Sequence, residues 1–148
     1  MQHLIGGMYM EIIANAVQTV PANQNVYFTD TIVNGNYSIS HRDDSGLVTL
    51  RGVTNQCRAR FKVSFGANIA IPTGETVGPI SLAIAIDGEP VRASTMTVTP
   101  AAVEQYFNIY GAAYIDVVAG CCTSISVQNI SDIPVNVENA NLIVERRA

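Results

Sequence analysis

The sequence predicts an all-β fold, an antiparallel β-sandwich of the jelly-roll kind, and three observations carry that reading. Val and Ile number 17 and 16 against 5 Leu, and β-branched side chains fit a pleated, half-buried surface better than a helix. The apolar residues come in short runs that alternate with polar ones, the period of a strand with one face in a core. Turn signals separate these runs at intervals of roughly 8–15 residues, as in sandwiches and jelly rolls. At 148 residues and 15.8 kDa, the chain is long enough for one domain with a substantial core. A hydrophobic fraction of 48% and a mean hydropathy of +0.23 exclude a disordered chain.

The elements follow in order. Residues 1–25 read as a short N-terminal arm, either a first strand or a tether to another protein, because periodicity over Met8–Val17 does not decide between helix and strand. The jelly-roll domain is expected over 26–148. Asn25–Thr31 alternates and leads into the turn Val33-Asn34-Gly35-Asn36. Ser38–Ser40 is a brief strand, 41–46 a polar loop, and Leu47–Leu50 a strand. Arg58–Ile71 is the longest run, with Ala59, Phe61, Val63 and Phe65 on one face and Arg58, Arg60, Lys62 and Ser64 on the other. Ile80–Ile86 has small residues between its large ones, the pattern of a strand covered on both sides. Asp87-Gly88 is a hairpin dipeptide before the return strand Glu89–Ala93. Ser94–Thr99 is extended, Ala101–Tyr114 holds one or two strands, and Ile115–Val118 turns at Ala119-Gly120 into Ser124–Asn129. Val135–Glu138 and Ala140–Glu145 close the chain.

Charge narrows the functional classes. The net charge is −4, and seven of the eight basic residues are Arg, dispersed along the chain. Arg58, Arg60 and Lys62 fall on one side of a strand, where solvent or a neighbouring subunit's acidic groups would meet them. No nucleic-acid partner is expected, since that needs a basic face to displace counterions. The run Leu4–Met10 is too short and glycine-rich to span a bilayer and lacks a basic region before it, so neither a membrane partner nor a secretory signal is expected. Cys57, Cys121 and Cys122 make an odd count without zinc spacing, which reads as buried free thiols, with an inter-subunit disulfide as the alternative.

No motif announces catalysis, and the chain is read as a non-enzyme without catalytic residues, metal or cofactor. Ser40-His41-Arg42-Asp43-Asp44-Ser45-Gly46 holds the right residue types for a triad or an oxygen-ligand cation site. A triad assembles in space rather than within one loop, and oxygen-rich loops are ordinarily solvated turns. Asp87 and Glu89 read as turn residues.

Particular residues carry a resemblance. Cys57–Ile69 (CRARFKVSFGANI) resembles the strand that opens the core of tumour-necrosis-factor-like jelly rolls, and Ser81–Val91 (SLAIAIDGEPV) the strand and hairpin after it. Val117–Asn129 (VVAGCCTSISVQN) is similar to that group's L-x-x-G-D-x-I-x-L-x-N segment, with Cys121 where a polar residue usually stands. Ala140–Arg146 fits the final strand. The chain resembles the C-terminal domains of BclA-like collagenous exosporium glycoproteins and related proteins of Firmicutes and their phages, over about residues 26–146. No collagenous Gly-X-Y stalk precedes the domain. The resemblance implies the fold and a homotrimeric habit.

Tyr106, Phe107, Tyr110 and Tyr114, close together in one β region, are the candidate subunit-interface residues, because tyrosine suits surfaces that are part apolar and part wet. The expectation is a structural protein: a trimeric subunit displayed on a larger particle, a phage capsid decoration or head-fibre protein. It would be assembled in the host cytoplasm, carried on the virion surface, and docked onto a capsid or surface-layer protein through the N-terminal arm. The alternative is a receptor- or glycan-binding head of a phage fibre or of a bacterial or spore surface appendage.

Overall fold

The computed structural model describes residues 9–35, 38–54, 56–120 and 122–147. They form two antiparallel sheets of six strands each. In the first, β10 (Phe107–Val118), β6 (Arg58–Ala70), β12 (Val135–Arg146), β1 (Tyr9–Ala14) and β3 (Asp30–Val33) lie side by side, and β2 (Gln18–Val20) also pairs with β12. In the second the order is β4 (Ile39–His41), β5 (Val48–Arg51), β11 (Cys122–Asn129), β7 (Ile80–Ile86) and β8 (Glu89–Pro90), with β9 (Met96–Val98) also on β7. A single 3-10 turn, Arg92–Ser94, is the only helical element among the described residues.

The core lies between the sheets, and strict alternation builds it. On β6, Ala59, Phe61, Val63, Phe65, Ala67 and Ile69 are all buried. The facing strands supply Val48, Leu50, Leu82, Ile84, Ile125 and Val127. Burying each large apolar side chain contributes about 1.5–3 kcal/mol. Phe28 meets Phe65 edge to face, with centroids 6.2 Å apart at 82°. Leu82–Ala85 are buried without a break, the coverage on both sides expected for this strand.

Several expected elements are redrawn by hydrogen bonding. The division after residue 25 is corrected, because β1 is an interior strand with Met10, Ile12 and Ala14 in the core. It pairs with β12 from Tyr9↔Glu145 to Ala14↔Ala140 and with β3 on its other side. The first-strand alternative therefore holds for 9–14, where outward-facing Ile13 had blurred the alternation. The arm's residues 1–8 lie outside the described residues.

Asn25–Thr31 has the expected alternation, with Val26 and Phe28 buried and Tyr27 exposed, but before Asp30 it makes only isolated bridges, Asn25↔Gln128 and Phe28↔Ser45, and Tyr27 between them bonds to a side chain. The Gln18 amide accepts from Tyr27 N–H at 2.8 Å and donates to Tyr27 C=O at 2.9 Å. The strand proper starts at Asp30. Val135–Glu138 and Ala140–Glu145 are one strand, bent by a bulge at Asn139 (φ 52°), where the register against β6 shifts. Ala101–Val118 contains one strand from Phe107. Asp87-Gly88 forms the expected hairpin, with both φ values positive, at 50° and 86°.

Candidate interaction face

The outward side of the first sheet is an ordered grid, because four of its long strands pair in register. Tyr110, Gly66, Asn141 and Ile13 make one row across β10, β6, β12 and β1. Ala112, Ser64, Ile143 and Glu11 make the next, then Tyr114, Lys62, Glu145 and Tyr9. In the first two rows β6 presents the small Gly66 and Ser64, with Tyr110 and Tyr114 on the outermost strand β10 and Tyr9 across on β1. Tyr110, Tyr114 and Tyr9 are 65%, 61% and 45% exposed.

Gly66 stands out in this grid. A Cβ there would meet nothing of this chain closer than 3.6 Å, and no positive φ is required of it. Glycine inside a strand costs about 0.5–1 kcal/mol relative to alanine, and no packing within the protomer explains it. Gly111 differs: a Cβ there would lie 2.9 Å from Met96, so its bareness serves the packing of β9 over β10.

β10 is the margin of this sheet, and its second edge has no strand partner among the described residues. The other outermost strands run two to four residues, whereas β10 has twelve. Long, flat, apolar edges invite pairing or association unless they are covered.

The four candidate interface residues divide accordingly. Tyr110 and Tyr114 lie together on the outward face. Phe107 has the opposite parity, and at the strand's start it is 39% exposed. Tyr106 precedes the strand and is half-buried; burial above all, then the charges of Glu104 and Glu138, raise its phenol pKa, against a hydrogen bond with Asn136. Tyr9, Ile13 and Ile143 share the face but were not among the sequence candidates. Their period-2 placement on β1 and β12 was the available signal.

Charge is uneven along the strands, with Asp116 and Glu145 set among the cations at one end. Glu104 and Glu138 lie toward the end where β10 starts, while Arg58, Arg60, Lys62 and Arg147 gather at the other. Arg58 and Arg60 are exposed to solvent, as expected, and both also reach Asp116 of the same chain. Arg60 Nε and Nη2 donate to its two oxygens at 2.8 and 3.1 Å, and Arg58 Nε lies 3.2 Å away. The Arg60 hydrogen bond, aided by the charges of Arg60 and Arg58 and opposed by partial desolvation, lowers the Asp116 pKa.

The expected burial of the thiols is also corrected for two of them. Cys57 and Cys122 are exposed at one end of the sandwich, where Ala119 N–H donates to Cys57 C=O at 2.9 Å. Cys121 lies outside the described residues. The stretch Ser40–Gly46, which ends β4 and runs into a loop, is tied by one bond of its own and one from β3: His41 Nε2 lies 2.8 Å from Ser45 C=O, and Thr31 Oγ1 donates to Asp43 at 3.1 Å. Asp87 does more than turn the chain, accepting from Ser124 N–H and Oγ at 2.9 and 3.1 Å. Among the described residues, no group of three or more His, Cys, Asp or Glu is placed to hold a metal. Among the described residues, no helix is long and apolar enough to cross a membrane.

No protein-family model matches the chain, and no curated protein does. Solved structures do. The globular domain of zebrafish complement 1qA superposes with a TM-score of 0.64 at 13% identity, over 95% of each chain. Eiger TNF from S. frugiperda gives 0.70 at 11%, over 95% of this chain and 92% of that one. Murine APRIL gives 0.64 at 8%, over 93% and 97%. At these identities the likeness is one of fold, and the fold is the C1q- and TNF-like jelly roll.

Proposed function

We propose that the chain is a non-catalytic structural protein, a homotrimeric jelly-roll subunit displayed on a larger particle, of the kind that decorates phage capsids or forms head fibres. The observation that carries self-association is the twelve-residue edge strand β10, whose outward tyrosines flank a floor of Gly66, Ser64 and Ala112. A second copy laid on this face would cover the edge and the rings together. The trimeric number comes from the resemblance to tumour-necrosis-factor-like domains. Tyr110 and Tyr114 form the centre of the interface, and Tyr106 and Phe107 its end.

Display on a virion, and docking onto a capsid or surface-layer protein, belong to the same reading. Because residues 9–14 form an interior strand, the docking segment is confined to the chain ahead of it. The first test is solution mass by light scattering: three times 15.8 kDa is expected, and a monomer would overturn the reading. Deleting residues 1–8 should leave that mass unchanged and abolish attachment to the particle. The second reading is a receptor- or glycan-binding head, favoured by Tyr27, which is 58% exposed with its backbone held by Gln18. Retention on a glycan array that Tyr27→Ala removes would support it.

A further inference from the structure

We propose that the cleft between Arg60, Tyr114 and Arg147 is a binding site for a tetrahedral oxyanion, a phosphate or sulfate group. The cleft has a volume of about 440 Å³, and Asp116 completes its lining. Two guanidiniums and a phenol converge on it, and the one carboxylate present is already engaged by both Arg60 and Arg58. Arg147 holds Glu145 through a single nitrogen, Nη1, at 2.9 Å, which leaves the rest of its fork for a ligand. Lys62, paired across the strands with Tyr114, makes no ion pair among the described residues.

Five cations, Arg58, Arg60, Lys62, Arg146 and Arg147, thus stand with two carboxylates, Asp116 and Glu145, at this end of the sheet, on a chain whose net charge is −4. Charge-assisted bonds from arginine forks are the strong ones, and a phosphate or sulfate brings more acceptor oxygens to them than a single carboxylate does. The cleft shares Tyr114 with the face proposed to self-associate, while Arg60 and Arg147 lie one row beyond that ring, so a ligand held by the two guanidiniums does not require self-association.

The test is calorimetric titration of the full chain with sodium phosphate, sodium sulfate and sodium acetate, with chloride adjusting every step to one ionic strength so that screening is constant. Saturable binding of phosphate or sulfate, one per chain, is expected, and acetate should bind at least several-fold more weakly. Arg147→Gln, which breaks no cross-strand contact, should weaken the oxyanion about tenfold. Asp116→Asn should tighten it, and Arg42→Gln, in the loop after β4 at the opposite margin from β10, should leave it unchanged. Non-saturating heats, equal acetate binding, or an Arg147→Gln titration matching the parent would overturn the site. A monomer that still binds phosphate in this way would sink the trimer while leaving the site standing.

Discussion

The two sheets bury their inner sides in one core, yet their outer sides have little in common. The outward side of the second sheet carries Ser40, Thr49, Arg51, Ser81, Ser124 and Gln128 with the buried Ser126, Ala83 and Ala85, and, among the described residues, no aromatic ring. Much of it is satisfied internally: Arg51 Nη1 donates to Ser40 Oγ at 2.9 Å, and the Ser81 and Thr97 hydroxyls are 2.7 Å apart. Its outermost strands are three residues or fewer. The outward side of the first sheet carries three exposed tyrosines, two isoleucines, an unexplained glycine and the long edge of β10. A surface closed on itself by hydroxyl bonds has little to gain from a partner, whereas one with exposed rings and an open edge has both area and backbone groups to bury.

The largest effect should be common to both sheets. Phe65 lies in the shared core against Phe28, and Phe65→Ala should cost about 3–5 kcal/mol in urea unfolding, destabilising both sides alike. The comparison itself is broken or sharpened by the outer sides. Tyr110→Ser with Tyr114→Ser should weaken association by about 2–4 kcal/mol and return the mass to that of a single chain, while Thr49→Lys on the other sheet should leave it unchanged. Equal loss from both would erase the distinction drawn here.

The seam between the sheets is the next test. Asn129 on β11 donates to Val20 C=O at 3.0 Å and Ile133 C=O at 2.9 Å and accepts from Ser131 N–H at 2.9 Å. Asn129→Ala should cost about 1–3 kcal/mol, since it strips buried backbone groups of their partner. Gly66→Ala separates folding from assembly with opposite signs. It should stabilise the isolated chain by about 0.5–1 kcal/mol and weaken association, whereas a glycine needed by the protomer would make the variant less stable.

The smallest effects are titrations. Asp116 has a folded pKa below its ordinary value, so its contribution is complete above the ordinary carboxylate range and is lost as pH falls through the lowered folded value. The group is exposed and the slope shallow; Asp116→Asn should flatten it in acid unfolding curves. Tyr106 runs the other way. Its raised folded pKa means that the folded chain keeps the proton longer, so stability declines as pH rises above the ordinary tyrosine range, about 10. Tyr106→Phe should remove that alkaline slope.

Most strands and the sandwich were legible because alternation reports a local property, the two sides of a pleat. The run Arg58–Ala70 displays it residue by residue, and Asp87-Gly88 announces its hairpin through the backbone conformations those residues tolerate. Where the sequence reading failed, a non-local partner had intervened. Gln18, nine residues away, replaced the ladder of Tyr27. The Asn139 bulge joined two runs into one strand. Ile13 hid the strand character of β1 because it is apolar and faces outward.

The sequence by itself determined the β class, the inward and outward parity of each long strand, and therefore that Tyr110 and Tyr114 share a side. Only the tertiary structure decided which strand becomes a sheet margin, that Asp116 holds Arg58 and Arg60, and that Tyr9 joins the tyrosines of β10 from just over a hundred residues away. Parity is carried by each residue's place along its own strand. Neighbourhood between strands is set by pairing across large separations in sequence, where closing the loop costs entropy that no local pattern records.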